Sequence, residues 1–233
     1  MRRKSSLFNT IVCLLGIALF PENSLSQNSP RGINDGLVHI GLYAGFSPST
    51  NFIFSDYAEG TTGSNSITTG VAKFKSHSFS SYGAELMIFT QPAMGFSFGY
   101  IQDSPRDISH MDIEYSNGTA TRTYKAQNDV FTNKSFTFNY FLRSPERSYL
   151  GFGVNYSNPE WTIQTPTNNK IELNGGLGFQ VSYGFALFKG FVFDLSFRSS
   201  TLQMKYSDPT TNTFQDFGDG YIGAVSAGFK IIL

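Results

Sequence analysis

The chain has 233 residues, of which 40% are hydrophobic and 16% aromatic, whereas Asp, Glu, Lys and Arg together supply only 15%. That charged share lies well below the roughly 25% of an average soluble domain. If residues 1–26 are removed, as predicted below, the remaining chain contains 14 Lys and Arg and 16 Asp and Glu. This slightly acidic balance argues against a nucleic-acid partner.

The N-terminus predicts a secretory signal peptide over residues 1–26. Three basic residues precede a 14-residue apolar stretch at 7–20 and a small-x-small site at 24–26. This order is typical of an export signal, with cleavage near Gln27. A membrane anchor is the alternative, but a spanning helix needs about 20 apolar residues. A short periplasmic segment, 27–36, is expected to precede the first strand.

Eight runs follow in which apolar residues alternate with polar or small ones. A period of two is typical of strands with two different faces. No run approaches the 18 or so consecutive apolar residues of a transmembrane helix. The runs lie at 37–46, 80–90, 93–101, 135–142, 149–156, 176–185, 191–200 and 221–233.

The connections between the runs alternate in length. Short ones with Pro or Gly, as hairpins require, join the second and third runs, the fourth and fifth, and the sixth and seventh. The others are long and polar, and we expect them to be loops, one of them carrying a hairpin at Asn117-Gly118. These four loops lie at about 47–79, 102–130, 157–170 and 200–220. The pattern predicts an all-β fold, an eight-stranded antiparallel up-and-down barrel over residues 37–233.

The stretch FVFDLSFRSS, at 191–200, helps to decide whether the apolar face of the barrel points outward or into the lumen. Phe193, Leu195 and Phe197 share one face, and Asp194 and Arg198 share the other. An eight-stranded lumen is just wide enough for side chains, so it suits the small polar face better than the aromatic one. We therefore predict a transmembrane barrel with its aromatic residues in lipid. The alternative, a soluble periplasmic barrel, would normally carry more exposed Lys and Glu.

With these strands the chain resembles the small eight-stranded bacterial outer-membrane barrels, the group with the OmpX, OmpA-barrel, Ail and OmpW types. The resemblance covers roughly residues 36–233 and includes the alternating C-terminal strand of Val225, Ala227, Phe229 and Ile231. Leu233 stands where such barrels usually have a terminal Phe or Trp. The resemblance implies location in the bacterial outer membrane, contact with its lipid, and recognition of the last strand by the barrel-insertion machinery.

Five side chains are predicted to form a polar network in the lumen. They are Glu85, Asp194, Arg198, Lys230 and, nearby in phase, His39. We expect Arg198 and Lys230 to pair with Asp194 and Glu85 across the lumen. Such pairs satisfy a polar interior, and a charged gate across a narrow water path is the alternative.

The loops are the expected contact region, since binding residues concentrate on loops held by a rigid scaffold. Aromatic side chains are common at the centres of binding surfaces, although here they also suit packing between loops or an interfacial girdle. The candidates are Tyr57, Tyr115, Tyr124, Trp161, Phe214 and Phe217. The acidic and histidine side chains of DISHMDIE, at 107–114, are expected to be solvated rather than to bind metal.

The sequence favours an integral outer-membrane barrel with a structural or surface-interaction role through its extracellular loops, where an extracellular ligand or a host protein would be the partner. No cofactor, metal or catalytic residue is predicted, because no Ser and His stand at a fixed catalytic spacing. The alternative function is a narrow pore for small or hydrophobic solutes. A lipid-modifying barrel enzyme, with His39 in its site, is a weaker alternative.

Overall fold

The computed structural model describes residues 38–62, 67–91, 93–117, 122–124, 129–144, 148–163 and 170–233. The predicted signal peptide at 1–26 and the segment at 27–36 lie outside these residues. Over the described part of the chain, no helix has the length and apolar character needed to cross a membrane.

Eleven strands form within the described residues, and all the strand pairings are antiparallel. They are β1 (Val38–Ser47), β2 (Thr50–Thr61), β3 (Ile67–Ser76), β4 (Phe79–Gln91), β5 (Met94–Tyr115), β6 (Arg122–Tyr124), β7 (Asp129–Arg143), β8 (Ser148–Ile163), β9 (Lys170–Phe188), β10 (Phe191–Asp208) and β11 (Thr213–Ile232).

Eight of the strands close into a ring, in the order β1, β4, β5, β7, β8, β9, β10, β11 and back to β1. The ring closes where Leu42 pairs with Ile231 and Phe46 with Ala227. Within the described residues each of these eight strands has a partner on both sides, so their backbone N–H and C=O groups are satisfied without water. The prediction of an eight-stranded antiparallel up-and-down barrel is confirmed.

Strands β2 and β3 extend this ring at one end, which we call the outer end. β2 follows β1 after Pro48 and Ser49 and pairs with β11. β3 leads into β4 through His77 and Ser78 and pairs with β5, so that the wall continues beyond the eight-strand ring. The opposite end, where the short connections lie, is called the inner end.

The predicted loop boundaries are therefore wrong. Most of 47–79 is strand, and β5, β8, β10 and β11 continue into the other three predicted loops. These segments are polar because their exposed side chains face water, yet their backbones still pair with neighbouring strands. Their polar composition suggested loops, although it arises from only one face of each strand.

Tight turns are present at both ends of β10. At the outer end, residues 209–212 connect β10 to β11, and the Thr210 amide donates to the Asp208 carboxylate at 2.8 Å. This hydrogen bond favours the ionised form and lowers the pKa of Asp208. At the inner end, Lys189 and Gly190 connect β9 to β10, and Gly190 has a φ of 74°, which glycine adopts without steric penalty.

The exterior of the eight-strand ring is a continuous apolar band. Its exposed side chains include Ile40, Leu42, Phe46, Leu86, Phe98, Phe136, Phe152, Val154, Phe179, Leu195, Phe197, Val225, Phe229 and Ile231. Tyr82, Tyr156 and Tyr221 are exposed at the outer ends of their apolar runs, where membrane barrels carry an aromatic girdle. A surface this large and apolar is suited to hydrocarbon rather than water.

The apolar side chains change face where β10 leaves this band. Leu195 and Phe197 point outward and are 44% and 37% exposed. Further along the strand, Leu202 and Met204 point inward and are buried, while Gln203 is exposed. The barrel is therefore apolar on the outside within the band and apolar on the inside beyond it.

Two apolar clusters fill the lumen on either side of a polar layer. The outer apolar cluster comprises Phe52, Phe54, Tyr57, Ala72, Phe74, Ile108, Ile113, Phe131, Leu202, Met204, Phe217 and Ile222. The inner apolar cluster comprises Met87, Phe89, Phe141, Tyr149, Ala186, Val192 and Ile232.

Replacing Phe98 by Arg is expected to lower the free energy of unfolding in lipid by about 2–4 kcal/mol, because Phe98 lies within the apolar band. Asn174→Arg, an exposed exterior position of β9 beyond the band, is the matched control and is expected to cost about 1 kcal/mol or less. Urea unfolding in lipid vesicles, followed by the fluorescence of Trp161, measures both. Equal losses at the two positions would contradict a lipid-facing band.

Candidate functional site

One ion cluster lies in the polar layer of the lumen and is centred on a lysine from β11. The Lys230 Nζ lies 2.7 Å from Glu85 Oε1 and 3.5 Å from Asp194 Oδ2. It also donates to the Tyr149 hydroxyl at 2.6 Å, and that hydroxyl donates to the Asp194 carboxylate. Four strands thus contribute to the Lys cluster, defined as Glu85, Tyr149, Asp194 and Lys230.

A second ion cluster lies nearer the outer end. Arg198 Nη2 lies 2.9 Å from Asp103 Oδ1 and donates to Ser81 Oγ at 3.3 Å. Ser81 donates to the same carboxylate at 2.8 Å, and Arg106 Nη1 lies 3.4 Å from its other oxygen. The Arg cluster is defined as Ser81, Asp103, Arg106 and Arg198.

The structure places Glu85, Asp194, Arg198 and Lys230 in the lumen but divides them between the two clusters. Lys230 binds both predicted carboxylates, whereas the predicted pairing of Arg198 with one of them is wrong, since Arg198 pairs with Asp103. His39 is also buried, and its ring packs edge-on against Phe89 of the inner apolar cluster, with 5.6 Å between ring centres.

Sequence reasoning missed four members of these clusters, namely Ser81, Asp103, Arg106 and Tyr149. Asp103 and Arg106 fall in a segment predicted as a loop, and a register shift between them in the β5–β7 pairing lets both side chains point inward. Tyr149 begins a run on the small-residue face and gives no signal of its own. The irregular spacing from Asp103 to Arg106 is visible only once β5 is known to continue through it.

Small residues make room for the Lys cluster. A Cβ on Gly41 would lie 2.9 Å from Glu85 Cγ, and a Cβ on Gly184 would lie 2.2 Å from the Tyr149 ring. The lumen of an eight-stranded barrel therefore holds these large side chains only because glycine faces them from the neighbouring wall.

Little free space is left between the clusters. Asn139 donates to Ser97 at 3.2 Å and accepts from Gln180, which links β5 to β7 and β9, two strands that contribute to neither ion cluster. A cavity of about 40 Å³ lined by Arg198, Lys230 and their neighbours remains. It has room for only a few water molecules.

Two of the six aromatic residues predicted as surface contacts are buried inside the barrel. Tyr57 and Phe217 are 0% and 2% exposed and belong to the outer apolar cluster, which corrects the prediction. They point inward because the strands that carry them are apolar on the lumen side beyond the membrane band.

Three of the other candidates are only partly buried. Tyr115 donates to Glu59 at 2.9 Å, and Trp161 packs against Phe74 of the outer apolar cluster with 5.5 Å between ring centres. Phe214 lines a cleft of about 290 Å³ near the outer turn. Tyr124 lies in β6, and its side chain is outside the described part of the structure.

The predicted charge cluster at 107–114 contains one weak pair. His110 Nε2 lies 3.6 Å from Asp112 Oδ2, and both side chains are partly exposed. Within the described ranges, no three His, Cys, Asp or Glu side chains gather as a metal site would require.

Replacing Lys230 by Met is expected to lower the free energy of unfolding by about 3–5 kcal/mol, because two buried carboxylates lose their cation. The control is Lys205→Met, which removes an exposed lysine 3.3 Å from Asp216 and is expected to cost about 1 kcal/mol or less. Urea unfolding in lipid vesicles measures the two variants side by side. Similar small losses would mean that the Lys cluster does not stabilise the barrel.

Comparison with known proteins supports the fold. No protein-family model and no curated protein matches the chain. Among solved structures, the outer membrane protein OprG from Pseudomonas aeruginosa is similar, with a TM-score of 0.50 and 12% identity over 87% of this chain and 99% of OprG. The outer membrane protein AlkL, solved in lipid bilayers, has a TM-score of 0.50 and 14% identity over 92% of this chain and 97% of AlkL.

At such low identity these likenesses concern the fold alone. The exterior supplies the second argument, because its apolar band is suited to lipid. Fold and exterior together make this chain an integral β-barrel of the small type found in the bacterial outer membrane.

Proposed function

We propose that the chain is a closed, non-enzymatic barrel with a structural role, whose outer end contacts an extracellular ligand or a host protein. The observation that carries this proposal is that side chains fill the lumen at successive levels. The outer apolar cluster, the two ion clusters and the inner apolar cluster all lie within the same ring. A lumen filled in this way leaves no open path through the barrel, which supports a structural role.

The exterior of the outer end is suited to contacts in water. Exposed charges pair across neighbouring strands, with Lys73 Nζ 2.7 Å from Glu114 Oε1 and Lys134 Nζ 2.6 Å from Glu160 Oε1. Phe214 and Tyr206 line the cleft near the outer turn. Polar surface with a few partly exposed aromatics is typical of sites where proteins bind partners.

We also propose that membrane lipid and the barrel-insertion machinery are partners of this chain. The exposed face of β11 presents Val225, Phe229 and Ile231 at alternating positions, followed by Leu233. This alternating pattern supports recognition of β11 by the insertion machinery, which recognises the last strand in the family that the sequence resembles.

A membrane-impermeant maleimide tests the orientation. Thr211→Cys, in the turn between β10 and β11, is expected to react in intact cells, because that turn belongs to the outer end. Lys189→Cys, in the inner-end turn, is the control and is expected to react only after the outer membrane is permeabilised. Labelling of the Lys189 variant alone in intact cells would reverse the proposed orientation.

A second candidate function is a narrow pore for small or hydrophobic solutes. The observation in its favour is the apolar character of the outer half of the lumen, where Phe52, Phe54 and Phe131 face the barrel axis. A solute on this route would have to part these rings and then pass the ion clusters.

Planar-bilayer recordings separate the two functions. The closed barrel is expected to give no steady channels, because the lumen is filled from the outer apolar cluster to the inner one. Steady channels in the unmodified protein that disappear in Glu85→Gln or Arg198→Gln would instead establish the pore and overturn the closed barrel.

A further inference from the structure

Arg106 is an unusual buried cation. Its side chain is fully buried, and its guanidinium carbon lies 3.7 Å from the centre of the Phe79 ring and 4.7 Å from that of Phe131. Within the described part of the chain, Nε, Nη1 and Nη2 of Arg106 have no hydrogen-bond partner. The guanidinium therefore stacks on two rings, and its ion pair with Asp103, at 3.4 Å, does not have hydrogen-bond geometry.

The nearby carboxylate is already engaged elsewhere. Asp103 accepts from Arg198 at 2.9 Å and from Ser81 at 2.8 Å, and lies at the longer distance of 3.4 Å from Arg106. Arg198 also has two nitrogens, Nε and Nη1, with no hydrogen-bond partner among the described residues. A buried donor left unpaired carries a desolvation penalty, which an accepting group would remove.

The formal charges of the two ion clusters favour the binding of one anion at the Arg cluster. The Arg cluster contains two arginines and one carboxylate, whereas the Lys cluster contains one lysine and two carboxylates. A single negative charge would neutralise the Arg cluster. The Lys cluster, nearer the inner end, would repel that charge and stop it from moving deeper.

The surroundings of Arg106 on the outer side are apolar. Phe131, which covers one face of the guanidinium, belongs to the outer apolar cluster and packs against Phe52 with 4.7 Å between ring centres. Trp161 lies against the same Phe131 ring, 6.2 Å away between centres. An anion that reached Arg106 from the outer end would bring its remaining atoms among these rings.

We propose that the lumen binds one amphipathic monocarboxylate, with its carboxylate at Arg106 and Arg198 and its hydrocarbon chain among the rings of the outer apolar cluster. A carboxylate presents two coplanar oxygens that match the donors of a guanidinium. The hydrocarbon chain of the ligand pushes apart the packed aromatic rings of the outer apolar cluster. Contacts between the ligand and these rings then replace the contacts that the rings made with one another. This inference goes beyond the proposed function, because a barrel that conducts nothing can still bind.

The test uses the full barrel in nanodiscs of uncharged lipid, titrated with decanoate, decanol or acetate. Calorimetry measures the stoichiometry, the fluorescence of Trp161 reports the outer apolar cluster, and empty nanodiscs correct for partition into lipid. Decanoate is expected to bind once per chain, at least about tenfold more tightly than decanol or acetate, because only decanoate has both the charge and the chain.

Variants place the carboxylate at the arginines. Arg106→Gln is expected to weaken decanoate binding at least about tenfold while leaving decanol binding unchanged. Arg143→Gln is the matched control, since Arg143 also stacks on a lumen aromatic, 4.4 Å from the centre of the Phe89 ring, but at the inner end. It is expected to bind decanoate as the unmodified barrel does.

Several outcomes would overturn the proposal. Equal affinities for decanoate and decanol would show that the lumen has an apolar site but no anion site. The absence of saturable decanoate binding would show that the lumen holds only water and side chains. The comparison of the three ligands on the unmodified protein decides the matter even if the Arg106 variant does not fold. Conductance plays no part in the readout, so failure here would leave the closed-barrel proposal intact.

Discussion

Because the strands form a closed wall in lipid, the polar side chains of the spanning strands can lie only in the lumen. Since the exterior must be apolar across the membrane, the charged residues of the spanning strands are forced into a narrow interior. There each charge needs a partner, because an unpaired buried charge is strongly destabilising. Lys230 with its two carboxylates, and Asp103 with its two arginines, are the response of this chain to that constraint.

The same constraint ends where the membrane ends. Beyond the apolar band, water replaces lipid on the outside, and the barrel adopts the arrangement of a soluble one, with apolar side chains inside and charges outside. Along β10 the change falls between Phe197, which is exposed, and Leu202, which is buried. The position of this change marks the boundary of the membrane on β10 and explains why the outer apolar cluster lies above the ion clusters in a single lumen.

Much of the fold could be predicted from the sequence, because alternation within the band is regular. The stretch 191–200 indicates both faces correctly, with Phe193, Leu195 and Phe197 on the face opposite Asp194 and Arg198. The outer extension could not be recognised in the same way. Its strands exchange the apolar and polar faces, and the resulting composition resembles that of loops.

The site was predictable only in part, for a related reason. Alternation places Glu85, Asp194, Arg198 and Lys230 in the lumen. It does not indicate how far along the barrel axis each side chain lies or which side chain on another strand it pairs with. Both depend on the register between strands that are distant in the chain, such as β5 and β10, and on the register shift after Asp103. Tyr57 and Phe217 were predicted on the surface because their strands were taken for loops.

The central claim, an oily exterior around a polar lumen, is tested most directly by nitroxide scanning of β10 in lipid vesicles. Labels would be placed one at a time from Val192 to Ser200, and their accessibility to oxygen and to a water-soluble nickel complex would be compared. Labels at odd positions are expected to be accessible to oxygen dissolved in the lipid, and those at even positions to be shielded from it. The reverse pattern, or access of the nickel complex to the odd positions, would contradict the account.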